Sequence, residues 1–368
     1  MKFVLSTIAW VESIAKKEIE KIGWKIEEVT DRLVTFSWDI SLMVKANLWS
    51  RVGNKVYLLL EEKENVTDFD SLFNLIENIN WKRYFKKDFP LVVKSSSIRS
   101  ELFSARTIQS IWKKAIIKSL KWEEWFLKED ESLEKLEILV LIIDNKVRIL
   151  LNTSWKALHM RWYREKAWEA PIKESLAAAL VLLSNWRFKE NFYDPFCGSW
   201  TIVIEALMIA KNIAPWLKRW FAYEKLKLID WETSENERAL ARTKKFDNKY
   251  NIFASDIDSE MIEIAKENSK KAWLEWEINF KVKDFKDMLN SEKFSWTLVS
   301  NPPYWERLKD ENLKSLYNNI DKIFRLNPEL NGWIISSYLE FDNLIKSGTY
   351  KKRKLYNGWE MCYFWRKI

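Results

Sequence analysis

The stretch DPFCGSWTIVIE, residues Asp194 to Glu205, combines the end of a strand, a tight turn and the start of a helix. A glycine-containing turn of this kind lets backbone N–H groups approach an anionic ligand, and the helix N-terminus adds favourable polarity. The stretch therefore predicts a binding site for a carboxylate, such as that of a methionine moiety. One residue does not fit, because Trp200 stands where the turn needs its last glycine.

Strands and helices alternate from about residue 156 to the C-terminus, which indicates an α/β fold with a parallel sheet covered on both faces. The ending KKRKLYNGWEMCYF predicts a hairpin around Asn357 and Gly358 that adds antiparallel strands at one edge of this sheet. The other predicted elements are helix 172–186, strand 191–196, helix 201–211, a charged insertion 216–247, strand 252–256, helix 259–272, strands 278–285 and 296–304, helix 312–325 and strand 333–338.

The first 150 residues have a different order of predicted elements, with short α+β units and no internal repeat. Alternating apolar residues predict strands at KFVLST, RLVTFSW and KVYLLLEE, with helices between them. A later hairpin, LEILVLIIDNKVRILLN, turns at Asp144 and Asn145. Before it, ARTIQSIWKKAIIKSLKW predicts a basic helix.

The composition is that of a folded protein in a reducing compartment. The 368 residues include 47% hydrophobic and 31% charged residues, and the net charge of +8 favours a polyanionic partner. Two cysteines give no disulfide framework, and one histidine leaves no zinc site or Ser-His mechanism. The apolar run near the start is too short for a signal peptide, and no run could span a bilayer. We expect a cytoplasmic protein that binds no membrane and no metal and is a monomer.

Two further strand ends carry carboxylates. Asp256 ends IFASD and could accept the two hydroxyls of a ribose, while Asp258 is better explained as the N-cap of the following helix. Asp284 in KVKDF could accept an adenine amino group. Cys197 is better explained as a small packed residue than as a nucleophile, because no base lies near it in sequence.

The most specific signal is SNPPYWERL, Ser300 to Leu308, which directly follows an apolar strand. Two prolines fix the backbone so that the side-chain oxygen of Asn301 and the carbonyl of Pro302 can accept from one exocyclic amino group. Tyr304 offers a ring on which a base can stack. Such an arrangement favours the amine geometry whose lone pair can attack a methyl sulfonium, and positioning supplies much of the rate gain.

These segments resemble a family of THUMP-containing RNA methyltransferases, in which the turn reads DPFCGSG and the later motif NPPYGERL. LHMRWYREKAWEAPIKESLAAALVLLSNW, STIAWVE, LWSR and INWKRYF are similar to the guanine-N2 methyltransferases of large-subunit (23S) rRNA. The resemblance implies a ferredoxin-like subdomain (1–60), a THUMP domain (61–155) and a Rossmann-like class I methyltransferase domain (156–368).

The resemblance also implies S-adenosylmethionine as cofactor and RNA as partner. The implied site residues are, for the cofactor, Asp194, Phe196, Cys197, Gly198, Ser199, Trp200, Asp256 and Asp284; for the target base, Asn301, Pro302, Pro303 and Tyr304; and for RNA phosphates, Arg99, Arg106, Lys113 and Lys114. A tRNA substrate stays open. An NPPY motif also occurs in adenine-N6 DNA methyltransferases, although the N-terminal half favours RNA.

The glycine and tryptophan counts suggest a reason for Trp200. The chain has 6 glycines, where average usage predicts roughly 26, and its 23 tryptophans nearly make up the deficit. We therefore predict that many tryptophans are glycines in the organism, written as Trp because UGA codons were read with the wrong code. The suspect positions are Trp10, Trp38, Trp155, Trp162, Trp168, Trp200, Trp273, Trp296 and Trp305. If Trp200 and Trp305 are genuine, the alternative is an RNA-binding assembly factor without activity.

Overall fold

The computed structural model describes residues 1–37, 39–85, 90–120, 135–163, 172–198, 200–290, 295–303, 310–338, 340–344 and 350–368. These residues form two compact units. The first unit contains Met1–Thr7, Ala15–Leu158 and Trp216–Ala241, and the second contains Ile8–Ile14, His159–Pro215 and Arg242–Ile368. No helix among these ranges is both long and apolar enough to cross a membrane.

The first unit is built on a seven-stranded sheet with the order β2-β3-β1-β4-β7-β6-β5. Its strands are β1 (Lys2–Thr7), β2 (Lys25–Thr30), β3 (Leu33–Ser37), β4 (Gly53–Lys63), β5 (Leu91–Ile98), β6 (Leu136–Ile143) and β7 (Lys146–Asn152). The helices up to this point are α1 (Glu12–Lys21), α2 (Ser41–Trp49), α3 (Phe69–Glu77) and α4 (Ala105–Ser119). The hairpin predicted at Asp144 and Asn145 is confirmed, with both residues in the left-handed conformation that a tight two-residue turn requires.

The second unit contains the predicted α/β fold. Its sheet has the order β10-β9-β8-β11-β12-β14-β13, parallel from β10 to β12 and antiparallel from β12 to β13. The remaining elements are α5 (Glu174–Leu183), β8 (Phe192–Asp194), α6 (Thr201–Ala210), α7 (Trp231–Thr243), β9 (Ile252–Asp256), α8 (Ser259–Lys271), β10 (Ile278–Val282), β11 (Thr297–Ser300), α9 (Asp310–Leu326), β12 (Asn331–Ser336), α10 (Phe341–Leu344), β13 (Tyr350–Asn357) and β14 (Glu360–Lys367).

Helical spacing explains how α9 packs on this sheet. Leu313, Tyr317, Ile320 and Phe324 follow one another by three or four residues and are fully buried against β11, β12 and β14. At the far edge, the C-terminal hairpin turns at Gly358, whose φ of 68° is a conformation that glycine adopts without strain. The sheet predicted from the sequence is therefore confirmed, including its antiparallel edge.

Two features of the chain differ from the sequence-based outline. Strand β4 pairs with both β1 and β7, so the predicted boundary between residues 60 and 61 falls inside a strand of one continuous sheet. Most of the charged insertion, Trp216–Ala241, groups with the first unit and not with the second. The predicted strand KVYLLLEE already spans this boundary, but the continuity of the sheet and the grouping of the insertion depend on contacts between segments distant in sequence.

Candidate active site

The last residues of three neighbouring strands meet at one edge of the methyltransferase sheet. Asp194 ends β8, Asp256 ends β9 and Ser300 ends β11. Because β9 and β11 flank β8 on opposite sides, this edge is the switch point in strand order, where ligands of open α/β sheets bind. The residues predicted from the DPFCGSW, IFASD and SNPP segments are thus brought together.

Asp194 joins the first and last of these segments. Its Oδ1 accepts hydrogen bonds from the Ser300 hydroxyl and from the Phe196 N–H, the latter at 3.2 Å. The carboxyl is fully buried, and this burial raises its pKa to about 7 in spite of the two hydrogen bonds, which favour the charged form. The carboxyl group therefore ties the turn after β8 to the end of β11.

Asp256 holds the same turn from the other side. Its Oδ2 accepts the Gly198 N–H at 2.9 Å, and its Oδ1 accepts the Asp258 N–H at 3.1 Å. Burial raises the pKa of Asp256 above its ordinary value. Each carboxylate oxygen keeps a lone pair that can accept from a ligand hydroxyl. Asp258 accepts the Glu260 N–H at 2.8 Å, which confirms its predicted role as the N-cap of α8.

Three other predicted residues have packing or capping partners. The Phe196 ring lies 4.6 Å from the Phe285 ring. The Cys197 thiol is buried, which confirms its prediction as a small packed residue, and this burial raises its pKa well above the ordinary value. Asp284 accepts the Lys286 N–H at 2.9 Å and so caps the short helical turn Phe285–Asn290.

The segment predicted to hold the target base begins at the end of β11. Asn301 and Pro303 are partly buried and Pro302 is buried, directly after Ser300. Tyr304 and Ser199, both predicted site residues, lie outside the described residues. The bond between Ser300 and Asp194 was not foreseen from the sequence, although a small polar residue between an apolar strand and NPP was a visible signal.

Trp200 occupies the N-cap of α6 in a left-handed conformation, with φ 65° and ψ 14°. Its indole is completely buried against the Phe280 ring, at 4.7 Å, and its Nε1 has no hydrogen-bond partner. A left-handed backbone is strained for a bulky side chain and unstrained for glycine. The backbone at this position therefore has the geometry of a glycine.

Three other suspect tryptophans share this geometry. Trp10, Trp155 and Trp273 have φ between 63° and 73°. In contrast, Trp81 and Trp186, which fit apolar settings in the sequence, are not among the positive-φ residues, and their Nε1 atoms donate to Ile76 and Glu190 carbonyls. This contrast supports the glycine hypothesis. Of the other suspect positions, 162 and 296 are not left-handed, and 38, 168 and 305 lie outside the described residues.

A buried ion pair anchors α6 behind the turn. Arg161 Nε and the Tyr163 hydroxyl each lie 3.0 Å from Glu205 Oε1, and the Arg161 and Glu205 side chains are completely buried. An ion pair in such a site is stable only when it is well hydrogen-bonded, so residues 161–163 are held firmly to α6. Sequence reasoning missed this pair, because its members are 44 residues apart.

The residues predicted to bind RNA phosphates lie in the first unit. Arg106, Lys113 and Lys114 are exposed on α4, whereas Ile108 and Trp112 of the same helix are buried. Arg99 differs, because its guanidinium forms two hydrogen bonds, at 2.7 and 2.8 Å, with the Asp144 carboxylate. This ion pair reduces the charge that Arg99 can offer to an anion.

Comparison with known proteins agrees with this architecture. Residues 161–364 match the family model "RMKL-like, methyltransferase domain". The chain belongs to the RMKL-like methyltransferase family. In front of this domain, residues 2–57 match the "RlmL ferredoxin-like domain" and residues 66–152 match the THUMP domain.

Three relatives cover almost all of the chain. A Bacillus subtilis (strain 168) protein, "Putative RNA methyltransferase YpsC", is 34% identical over 97% of this chain and 94% of its own. The solved structure of "SMU.472, a putative methyltransferase complexed with SAH" is 32% identical, covers 100% of this chain and 97% of its own, and has a TM-score of 0.89. A "predicted N6-adenine-specific DNA methylase" from Listeria monocytogenes str. 4b F2365 is 33% identical over 100% and 96%, with a TM-score of 0.90. The predicted cofactor, S-adenosylmethionine, is confirmed at the level of the family.

Proposed function

We propose that this RNA methyltransferase transfers a methyl group from S-adenosylmethionine to the N2 amino group of guanine in large-subunit ribosomal RNA. The observation that carries the proposal is the Asp194–Ser300 hydrogen bond. It connects the turn expected to hold the cofactor with the segment expected to hold the base, at the strand ends where ligands bind. A methyl donor and an amine acceptor need this proximity, because alignment of the two reactants supplies much of the rate gain.

The residues at the strand ends suit the cofactor. Asp256 has lone pairs for ribose hydroxyls, and the Phe196–Gly198 turn precedes the positive end of α6. Asp284 and the turn residues Asp194, Cys197, Ser199 and position 200 complete the proposed set. When bound, the sulfonium cofactor supplies an electrophilic methyl group and leaves as a neutral thioether.

At the target base, Asn301 Oδ1 and the Pro302 carbonyl would accept hydrogen bonds from the exocyclic amine. Two acceptors draw the amine towards its pyramidal form, so that its lone pair is available to form the new N–C bond as the S–C bond breaks. One amine proton then passes to water, and no strong general base is required. Pro303 favours an extended backbone at Pro302, and Tyr304 would stack on the flipped base.

The N-terminal half supports RNA as the substrate and leaves ribosomal and transfer RNA as competing substrates. We propose that residues 1–60, 61–155 and 156–368 act as ferredoxin-like, THUMP and methyltransferase domains, and that Arg106, Lys113 and Lys114 bind phosphates. A non-catalytic RNA-binding protein is the second candidate, since the buried Trp200 is consistent with a blocked turn. Cofactor titration separates these functions.

The test uses the full chain with glycine at the suspect tryptophan positions and methyl-labelled S-adenosylmethionine. Unmodified large-subunit rRNA, small-subunit rRNA and tRNA are each incubated with the enzyme, digested to nucleosides and examined by mass spectrometry. We expect N2-methylguanosine from large-subunit rRNA alone. N6-methyladenosine would overturn the base assignment, and label in tRNA would overturn the substrate. Absence of cofactor binding, together with no label in any RNA, would favour the non-catalytic protein.

A further inference from the structure

The outer edge of the methyltransferase sheet is strongly basic. Its last strand, β13, reads YKKRKLYN and, within the part of the chain that the structure describes, pairs with β14 alone. In the sheet order this edge lies beyond β11 and β12, on the side of Asn301, whereas β9 and β10 lie on the opposite side of β8. Lys351 and Lys352 on β13 and Arg366 on β14 are exposed.

Some of these cations already have partners. Lys352 forms an ion pair with Asp342, and its Nζ lies 5.1 Å from the centre of the Trp365 ring. Arg353 donates to the Trp10 carbonyl at 2.6 Å and to the Ser13 hydroxyl at 3.2 Å. The positive charge of Lys352 is therefore compensated within the protein, and Arg353 is held by polar groups.

Lys351 and Arg366 form a different arrangement. They are directly opposite each other in the β13–β14 pairing, and like charges at such positions repel. Among the described residues, neither cation lies within 4.0 Å of a carboxylate oxygen. Trp333 on β12 lies directly opposite Arg366 on the other side of β14 from Lys351. The Arg366 guanidinium lies 5.2 Å from the centre of the Trp333 ring. This stacking orients the guanidinium and leaves its N–H groups available.

We propose that Lys351 and Arg366 together bind one backbone phosphate of the RNA substrate. A phosphodiester has several acceptor oxygens, and it relieves the repulsion between two cations that share a row of the sheet. The methyltransferase unit then holds RNA on the target-base side, in addition to the contacts proposed for α4. The inference rests on the proposed function only in taking RNA as the substrate, and it requires neither guanine nor ribosomal RNA.

The experiment measures binding of a fluorescently labelled single-stranded RNA to the full chain over a range of salt concentrations. For the double variant Lys351→Ala/Arg366→Ala, we expect the slope of log K against log salt to fall by roughly 0.7, because one phosphate contact is lost. Compared with the parent, the variant should then lose roughly 5-fold more affinity at about 0.1 M salt than at about 1 M salt, by the same relation. Binding of S-adenosylmethionine and the thermal melt should match those of the parent.

Two matched variants make the result decisive. Lys352→Ala on the same strand should leave the slope nearly unchanged, because Asp342 already neutralises that charge. The swap Lys351→Arg/Arg366→Lys keeps both charges and should keep the slope, whereas Lys351→Gln/Arg366→Gln removes the charges with longer polar side chains and should lower the slope even if the alanine variant folds poorly. An unchanged slope in the alanine variant, an equal loss in Lys352→Ala, or equally strong competition by polyglutamate would overturn the proposal. Methylation at another base would refute the proposed function and leave this inference intact.

Discussion

The strand ends of the methyltransferase sheet and the outer face of α4 both carry charged groups, but only the first set is buried. Asp194 is fully buried with a pKa raised to about 7, whereas Arg106, Lys113 and Lys114 are exposed. Charges act strongly in a desolvated site and are screened by salt on a surface. A change at the strand ends should therefore alter chemistry or protonation steeply, while a change on α4 should alter RNA affinity in a graded, salt-dependent way.

The largest effect is expected at the strand ends from Asn301→Ala. The variant loses an acceptor that acts on the target amine, so methyl transfer should fall by roughly 10²–10³-fold, the range found when one preorganised hydrogen-bonding group is removed. Affinity for S-adenosylmethionine, measured by isothermal titration, should stay unchanged. Parallel loss of cofactor binding would contradict the role of Asn301 and weaken the contrast with α4.

A second prediction uses the buried carboxyl group of Asp194. Its folded-state pKa of about 7 lies above the ordinary value of 3.8, so the folded protein keeps a proton that the unfolded chain has released. Stability from this group therefore falls as the pH rises between about 4 and 7, by about 2 kcal/mol from pH 5 to pH 7. Asp194→Asn lacks this titration and can still accept both hydrogen bonds.

Urea unfolding of the parent and of Asp194→Asn at the two pH values isolates the effect. The difference in unfolding free energy between the two proteins should change in favour of the variant as the pH rises. A difference that stays constant with pH would show that Asp194 is ionised throughout, and that the strand ends are solvated in the same way as the outer face of α4.

The third prediction concerns the turn itself. Trp200→Gly removes an indole from a left-handed N-cap, and we expect it to raise affinity for S-adenosylmethionine by at least about tenfold, or roughly 1.4 kcal/mol. Trp186→Gly is the matched control, because it also deletes a buried tryptophan but one whose Nε1 is hydrogen-bonded. It should lower stability and bring no gain in cofactor binding.

The gene provides an independent check of the same idea. Positions 200 and 305 should be encoded by UGA, and positions 81 and 186 by UGG. Codons UGG at both 200 and 305 would refute the recoding hypothesis and would favour the RNA-binding protein without activity.

The smallest effect is expected on α4. Lys113→Ala/Lys114→Ala should flatten the salt dependence of RNA binding by about 1 for each phosphate that the protein no longer neutralises. Methylation of a minimal guanine-bearing fragment should fall much less, because a fragment with few phosphates gains little from phosphate contacts. Lys118→Ala is the control, since Lys118 already pairs with Glu77 at 3.1 Å. If methylation of the fragment fell as far as RNA binding, the two regions would not be functionally distinct.

Much of the candidate site could be predicted because its residues belong to contiguous segments. DPFCGSW and SNPP each combine an apolar strand with a turn, so the strand ends and their polar residues follow from local pattern. Asp258 as an N-cap is equally local, since its partner is the Glu260 N–H. The bond between Ser300 and Asp194 was not predictable in this way, because 106 residues separate its members.

The sequence by itself determined the α/β order of the second half, the antiparallel hairpin at its end and the segments that form the turns, because these depend on the spacing of apolar residues and on turn chemistry. The tertiary structure alone decided that Asp194 is buried against Ser300 and that Asp256 holds Gly198. It also placed Lys351 opposite Arg366. These contacts depend on strand order and register, and burial changes the pKa of a carboxyl group only once the chain has folded around it.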